Sequence, residues 1–186
     1  QDPEKPAVIL FTSGSEGTPK AAVLSNRNLL ANAQQVAARL ALWPEDKLLN
    51  VLPVFHAYGL TGGTILPLLV GVRFFLYPSP LHYKEIPKTA AKLKPTIMFA
   101  TDTFLTAYAR SADDTDFESL RLVVAGAERV RAETRRIWRE RFSADIVEGA
   151  TWDSTVLSGT PASVSSGGSA VNTIILSGGA LEVAGF

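Results

Sequence analysis

Four hydroxyls, two glycines and a lysine crowd the nine residues Thr12-Ser13-Gly14-Ser15-Glu16-Gly17-Thr18-Pro19-Lys20, directly after the apolar run Ala7-Val8-Ile9-Leu10-Phe11. Gly14 and Gly17 let the backbone approach an anion and aim successive N–H groups at it. Thr12, Ser13, Ser15 and Thr18 add hydroxyl donors, and Lys20 adds a full positive charge. The chemistry is that of a polyphosphate cradle, and the expected ligand is ATP. Gly17 is followed by Thr18 and Pro19 before the lysine, so this is not the G-x-x-x-x-G-K-[ST] loop of the common nucleotide hydrolases. Pro19 fixes its own backbone angle and restricts Thr18, which stiffens the loop just before Lys20. A plain polar turn between two strands is the alternative, but a turn rarely collects this set of donors.

Three other groups of residues could carry chemistry. His56, next to Phe55, is the better placed of two histidines; on chemistry alone, a lone histidine beside apolar residues is more often a hydrogen-bonded structural residue than a ligand. His82, in a proline-rich loop, takes no role beyond packing. Gly126-Ala127-Glu128 closes the apolar run Leu122-Val123-Val124, where small residues allow a flat ring to lie against backbone. It also reads as a tight strand-to-helix turn with Glu128 near a helix N-terminus. Finally, Arg129, Arg131, Arg135, Arg136, Arg139 and Arg141 stand against Glu133 and Glu140. Such a run is either a solvated helix face or a docking surface for an acidic partner.

These residues need elements to hold them, and the pattern is one of alternation. Apolar runs at 7–11, 21–24, 48–52, 72–77, 96–100 and 121–125 are strand-like. Ser25 caps a helix whose Leu29, Ala33, Val36 and Leu40 share one face. A buried helix is expected to end near Gly71, with others at 84–93, at 102–111 after Thr101 or Asp102, and at 132–142, where Ile137, Trp138 and Phe142 face inward. Strands alternating with helices predict an α/β fold with a largely parallel sheet flanked by helices. In such folds ligands sit at the carboxyl ends of strands, here the loops after Phe11, Leu52 and Val124.

Composition sets limits. The 186 residues carry 46% hydrophobic side chains and no net formal charge, enough for one packed domain and no basis for global attraction to nucleic acid or anionic membrane. The chain has no cysteine, which excludes disulfides, thiol nucleophiles and thiolate metal sites and agrees with a cytoplasmic setting. The polar N-terminus is not a secretory signal, and the apolar run 60–76 is broken by Gly62, Gly63, Pro67, Gly71 and Arg73, so no transmembrane segment is expected. Membrane association would need domains not present here.

The loop at 12–20 resembles the phosphate-loop signature of the adenylate-forming enzymes, the acyl-CoA synthetase and luciferase superfamily. Leu52-Pro53-Val54-Phe55-His56-Ala57-Tyr58-Gly59 is similar to that family's second motif, and Val123-Val124-Ala125-Gly126-Ala127-Glu128 to its strand and turn beside the adenine. Residues 75–83 and 104–110 look most like the acyl-acyl carrier protein synthetases that are often fused to a lysophospholipid acyltransferase. The resemblance, over residues 7–158, implies a partial N-terminal subdomain of an adenylate-forming enzyme. It implies ATP and Mg²⁺ as cofactors, activation of a fatty acid to an acyl-adenylate, and transfer to a carrier thiol, with acyl carrier protein a candidate partner. Residue by residue it gives catalytic roles to Lys20, Thr12 and His56, with Phe55 beside the carboxylate. Nucleotide contacts fall to Thr12, Ser13, Gly14, Ser15, Gly17, Thr18, Lys20, Gly126, Ala127, Glu128 and Thr151. A catalytically inactive nucleotide- or carrier-binding module is the alternative from a different class.

The departures begin after Val147. The family continues Glu-Gly-Tyr-Gly-x-Thr-Glu, whereas this chain reads Glu148-Gly149-Ala150-Thr151-Trp152-Asp153. Aligned through Val156-Leu157-Ser158, the Tyr-Gly pair is missing and Trp152 stands where the resemblance calls for the Mg²⁺-binding glutamate, so the metal ligand is unassigned. Asp153 is one position away, which in extended backbone points a side chain to the other face. Residues 1–157 therefore read as the nucleotide- and acyl-binding domain. Residues 158–186 read as an atypical Gly/Ser-rich tail, a linker over 158–170 with strand-like stretches at 171–176 and 180–184.

Overall fold

The computed structural model describes residues 2–12 and 20–148, together with the backbone of four short strands further on. Its centre is a five-stranded, wholly parallel sheet in the order β4-β3-β5-β6-β7, built from β3 (Lys47–Asn50), β4 (Arg73–Leu76), β5 (Ile97–Ala100), β6 (Leu122–Ala125) and β7 (Ile146–Glu148). Helices cover both faces because successive side chains of a strand point to opposite sides. Leu49, Met98, Ala100, Val123 and Ala125 pack under α4 (Glu85–Leu93), α5 (Asp102–Ser111) and α6 (Ala132–Phe142). Leu48, Ile97, Phe99 and Val124 pack under α1 (Asn26–Arg39), α2 (Ala57–Leu60) and α3 (Leu66–Val70). Under α6 the centre of the core is aromatic: buried Phe117 and Trp138 have ring centroids 4.9 Å apart, and Trp138 donates its indole N–H to the Leu105 carbonyl at 3.1 Å.

The parallel α/β sheet expected from the alternation is present, with three differences of detail. First, β1 (Pro6–Thr12) and β2 (Lys20–Ser25) do not join it; they pair with each other antiparallel as a separate hairpin. Seven residues between the strands are enough to turn the chain back, whereas a parallel pair would have needed a crossover of a dozen or more. Second, the helix expected to end near Gly71 is interrupted: α2 and α3 flank a π-helical turn over Thr61–Ile65, and the run then stops at Gly71 in the left-handed region at φ 73°. Third, β7 was not anticipated. Ile137, expected to face inward with Trp138 and Phe142, is only half-buried, and Thr134 takes the buried place one turn earlier. Beyond residue 148, β8 (Val156–Leu157) pairs in parallel with β10 (Ile174–Ile175), and β9 (Ala162–Val164) with β11 (Leu181–Val183), so the run read as a linker contains a strand. Among the described residues no helix is long and apolar enough to cross a membrane.

The amino-terminal end of the sheet is closed by a clasp. Buried Asp46 accepts from Arg121 Nε at 2.9 Å, from Thr96 Oγ1 at 2.6 Å and from the Trp43 N–H at 2.7 Å. Arg121 also lies over the Trp43 ring, 4.0 Å from its centroid. Burial alone would raise the Asp46 carboxyl, but the Arg121, Thr96 and Trp43 hydrogen bonds outweigh it and hold the pKa below the ordinary aspartate value; at Asp102, burial is likewise outweighed by bonds from Thr134 and Arg131.

A carboxyl lowered in the folded state stabilises the fold above its unfolded pKa, near 3.9, and loses that contribution as pH falls through the folded value. Stability to urea should therefore decline steeply below about pH 4. Asp46→Asn should cost about 3 kcal/mol at pH 7 and flatten the acid limb, because the guanidinium is left beside a neutral partner. An unchanged acid limb in that variant would show that the clasp does not govern it.

Candidate functional site

The stem of the hairpin, the segment after β3 and the turn after β6 are each held by identifiable contacts. The β1–β2 hairpin turns its Leu10 and Leu24 onto Leu29 of α1 and onto Ala57 and Leu60 of α2. The hairpin stem therefore sits beside the helix that begins just after His56. Thr12 and Lys20 are the last paired residues of that stem, directly opposite each other. Their backbones are described and their side chains are not; Ser13, Gly14, Ser15, Gly17, Thr18 and Thr151 lie outside the described residues altogether.

His56 caps α2. Its Nδ1 accepts the Tyr58 N–H at 3.4 Å, its own N–H donates to the Pro53 carbonyl at 3.1 Å, and its carbonyl accepts from the Leu60 N–H at 2.9 Å. A neutral imidazole whose Nδ1 accepts carries its proton on Nε2, so the outer edge of the ring is a donor. Phe55 beside it is 82% exposed. The start of the helix rests directly on the preceding backbone, since a Cβ at Gly59 would stand 2.2 Å from the Pro53 oxygen.

Tyr58 links this loop to the next. Buried, with burial pushing its hydroxyl pKa well up, it donates to the Val124 carbonyl at 2.8 Å and stacks on Phe99 at 5.7 Å. Val124 belongs to β6, and the Gly126-Ala127-Glu128 turn follows at once. The Gly126 N–H donates to Ala100 at 3.2 Å, and Ala127 is held at φ 65°, a left-handed conformation that costs an alanine about 1–2 kcal/mol. Glu128 points to the neighbouring corner, where its Oε2 accepts from Thr103 N–H at 3.1 Å and Thr103 Oγ1 at 2.7 Å. The two corners are further joined by the Arg131 N–H, which donates to Asp102 at 3.0 Å. Asp102 and Thr103 were not singled out as site residues from the sequence; Thr101-Asp102 was legible only as a helix start.

Two expectations are narrowed by these contacts. Glu128 is engaged by protein donors, and so is Glu148, which accepts from the Val130 N–H at 2.8 Å and from Arg135. No cluster of three or more His, Asp or Glu that could hold a metal occurs among the described residues, and the positions at which the resemblance would place a Mg²⁺ ligand lie outside them. The described carboxylates do not compose a Mg²⁺ site. The basic run is also less bare than its sequence: Arg131, Arg135, Arg136, Arg139 and Arg141 pair with Asp102, Glu148, Glu140, Asp145 and Asp114 respectively. Only Arg129 of the six has no ion pair among the described residues.

Residues 1–181 match the AMP-binding enzyme family. The 4-hydroxybenzoate–CoA/benzoate–CoA ligase of Rhodopseudomonas palustris is 30% identical over 142 residues, which are 75% of this chain and 26% of that protein. The long-chain-fatty-acid–CoA ligase of Bacillus subtilis is 30% identical over 155 residues, 80% of this chain and 27% of that protein. The crystal structure of ATP-bound MatB from Rhodopseudomonas palustris superposes with a TM-score of 0.70 at 26% identity, covering 80% of this chain and 29% of MatB. The chain thus spans under a third of the length of these relatives. A fold shared at that level, with the family match running along nearly the whole sequence, places the chain in the AMP-binding enzyme family.

Proposed function

We propose that residues 1–157 form the nucleotide- and acyl-binding part of an enzyme that activates a carboxylic acid, a fatty acid in the first instance, with ATP. The observation that supports this reading is the seating of the β1–β2 hairpin on Ala57 and Leu60, which sets its stem against the helix that His56 caps. The Tyr58 hydroxyl ties that same helix to the strand that ends in Gly126 and Ala127.

In the reaction a carboxylate oxygen attacks the α-phosphorus of ATP. A new P–O bond forms, the bond to the β-phosphate oxygen breaks, and pyrophosphate leaves. The mixed anhydride is then opened by a thiol, which releases AMP and yields a thioester. The chain needs no nucleophile of its own, consistent with the absence of cysteine. Its work is to orient the carboxylate and to offset charge at phosphorus. Lys20, Thr12 and the loop amides would meet the phosphates. His56, with Nδ1 occupied, would present Nε2–H to a carboxylate oxygen and so act as an orienting donor, not a base. Gly126 and Ala127 would offer backbone to the adenine. Mg²⁺, where bound, would neutralise phosphate charge.

The acceptor in this reading is the thiol of coenzyme A or of acyl carrier protein. The relatives are named CoA ligases, and the internal pairing of five arginines leaves little bare charge on α6 and its N-cap to steer an acidic protein.

Exchange of labelled pyrophosphate into ATP in the presence of fatty and aromatic acids tests the first step. Exchange dependent on the acid is expected, and both Lys20→Ala and His56→Ala should reduce it by about 100-fold. ATP binding without exchange would mean a catalytically inactive module, and the absence of both would overturn the assignment. Glu128 gives a separate check on the adenine wall. Glu128→Ala should lower stability by about 1 kcal/mol through loss of the α5 cap, while Glu128→Gln, which keeps an acceptor, should lose less. Equal losses of nucleotide affinity in the two variants, at unchanged stability, would instead make the carboxylate a direct ligand contact.

A further inference from the structure

Asn50 is a polar side chain with no place in the sequence motifs, yet it is 1% exposed at the carboxyl end of β3. Its carboxamide is used on both sides. Oδ1 accepts the Leu52 N–H at 3.0 Å, and Nδ2 donates to the Gly59 carbonyl at 3.4 Å. The two partners bracket the Leu52–Gly59 segment that carries Phe55 and His56. Gly59 stands where α2 gives way to the π-helical turn, and its carbonyl accepts a second side-chain bond from Thr64 Oγ1 at 3.1 Å. The Gly59 carbonyl thus accepts from two side chains, one from β3 and one from the π-helical turn itself. The carboxamide also lies hard against Gly63 of that turn, where a Cβ would come within 2.1 Å of Nδ2. No larger residue fits at 63 while Asn50 holds this position.

We propose that Asn50 is the positioning residue for His56. By holding Leu52 at one end and Gly59 at the other, it fixes the span between them. Pro53 can then accept the His56 N–H, and the imidazole can turn Nδ1 to the Tyr58 amide and leave Nε2–H for the ligand. Asn50 acts through the histidine and touches no substrate. The π-helical turn is the other half of the device, because it supplies the Gly63 face against which the carboxamide lies and the Thr64 hydroxyl that shares the Gly59 carbonyl. The kinetic part of the inference rests on the adenylation reading; the structural part does not.

The test joins nitrogen NMR of the imidazoles with pyrophosphate exchange, on the 186-residue chain, with His82→Gln used to assign the two histidines. In the unmodified protein near pH 8, His56 should show an unprotonated Nδ1, and the Asn50 side-chain amide should exchange slowly with solvent. Asn50→Ser should move His56 to mixed tautomers and lower the exchange turnover about tenfold, with KM for ATP within about twofold. Asp46→Asn, at the opposite end of the sheet, should lower stability and leave the His56 signature unaltered. Wild-type nitrogen shifts in Asn50→Ser, or fast exchange of the Asn50 amide in the unmodified chain, would overturn the proposal. The amide measurement decides even where the variant does not fold. Failure of pyrophosphate exchange in every form, with the NMR differences intact, would overturn the adenylation reading and leave the positioning role standing.

Discussion

The Tyr58 hydroxyl donates to the carbonyl of Val124, a buried residue of β6, and so ties α2 to the parallel sheet. The bond spans 66 residues of sequence and joins a helix to a strand. Because the tyrosine ring is buried and stacked on Phe99, its position is fixed by packing. The start of α2 is thereby held to β6. The hairpin, which shares no ladder with the parallel sheet, is held to the same helix through Leu10 and Leu24. Three stretches of chain far apart in sequence are placed relative to one another by one aromatic side chain and one small apolar cluster.

What was legible in the sequence is what local chemistry decides. Ser25 was readable as a cap because a serine at a helix start needs only its own neighbours, and it accepts the Asn28 N–H as expected. Gly71 was readable as a helix stop because only glycine takes φ 73° without cost. The π-helical turn was not readable, since it depends on Gly63 against Asn50 and Gly62 against Phe99, contacts that span many residues. The hairpin was legible as two strands but not as a pair apart from the sheet, because an apolar strand looks alike in either setting. β7 escaped notice because three residues carry too little periodicity.

The same division holds for the site. The hydroxyl-glycine-lysine loop declares its chemistry through composition, and His56 through its aromatic neighbour. Asn50 and Tyr58 do not: a buried amide ending an apolar strand and a tyrosine within a helix acquire meaning only through partners elsewhere. The arginines of α6 make the point from the other side. Counted along the chain they form a basic patch, but Asp102, Asp114, Asp145 and Glu148 come to them from other elements and from the ends of their own. Local charge density in a sequence is a poor guide to surface potential where acidic residues return from a distance.

The two ends of the sheet divide the labour of the fold. At the amino-terminal end, Asp46 accepts from three residues and Arg121 is held by a carboxylate, a carbonyl and an indole ring. At the carboxyl end an alanine is held left-handed, a helix is loosened by a π-turn, and a phenylalanine stands in solvent. Each of these is a local cost, and costs of 1–3 kcal/mol persist only where surrounding structure over-determines them. The packed layers between the two ends provide that determination: Met98, Phe99, Val123 and Val124 are essentially unexposed, so strands β5 and β6 cannot slide to relax the turns that follow them. Placing the strain beyond the ends of the most buried strands puts it where the backbone is best fixed and where a ligand would be met by groups already in position.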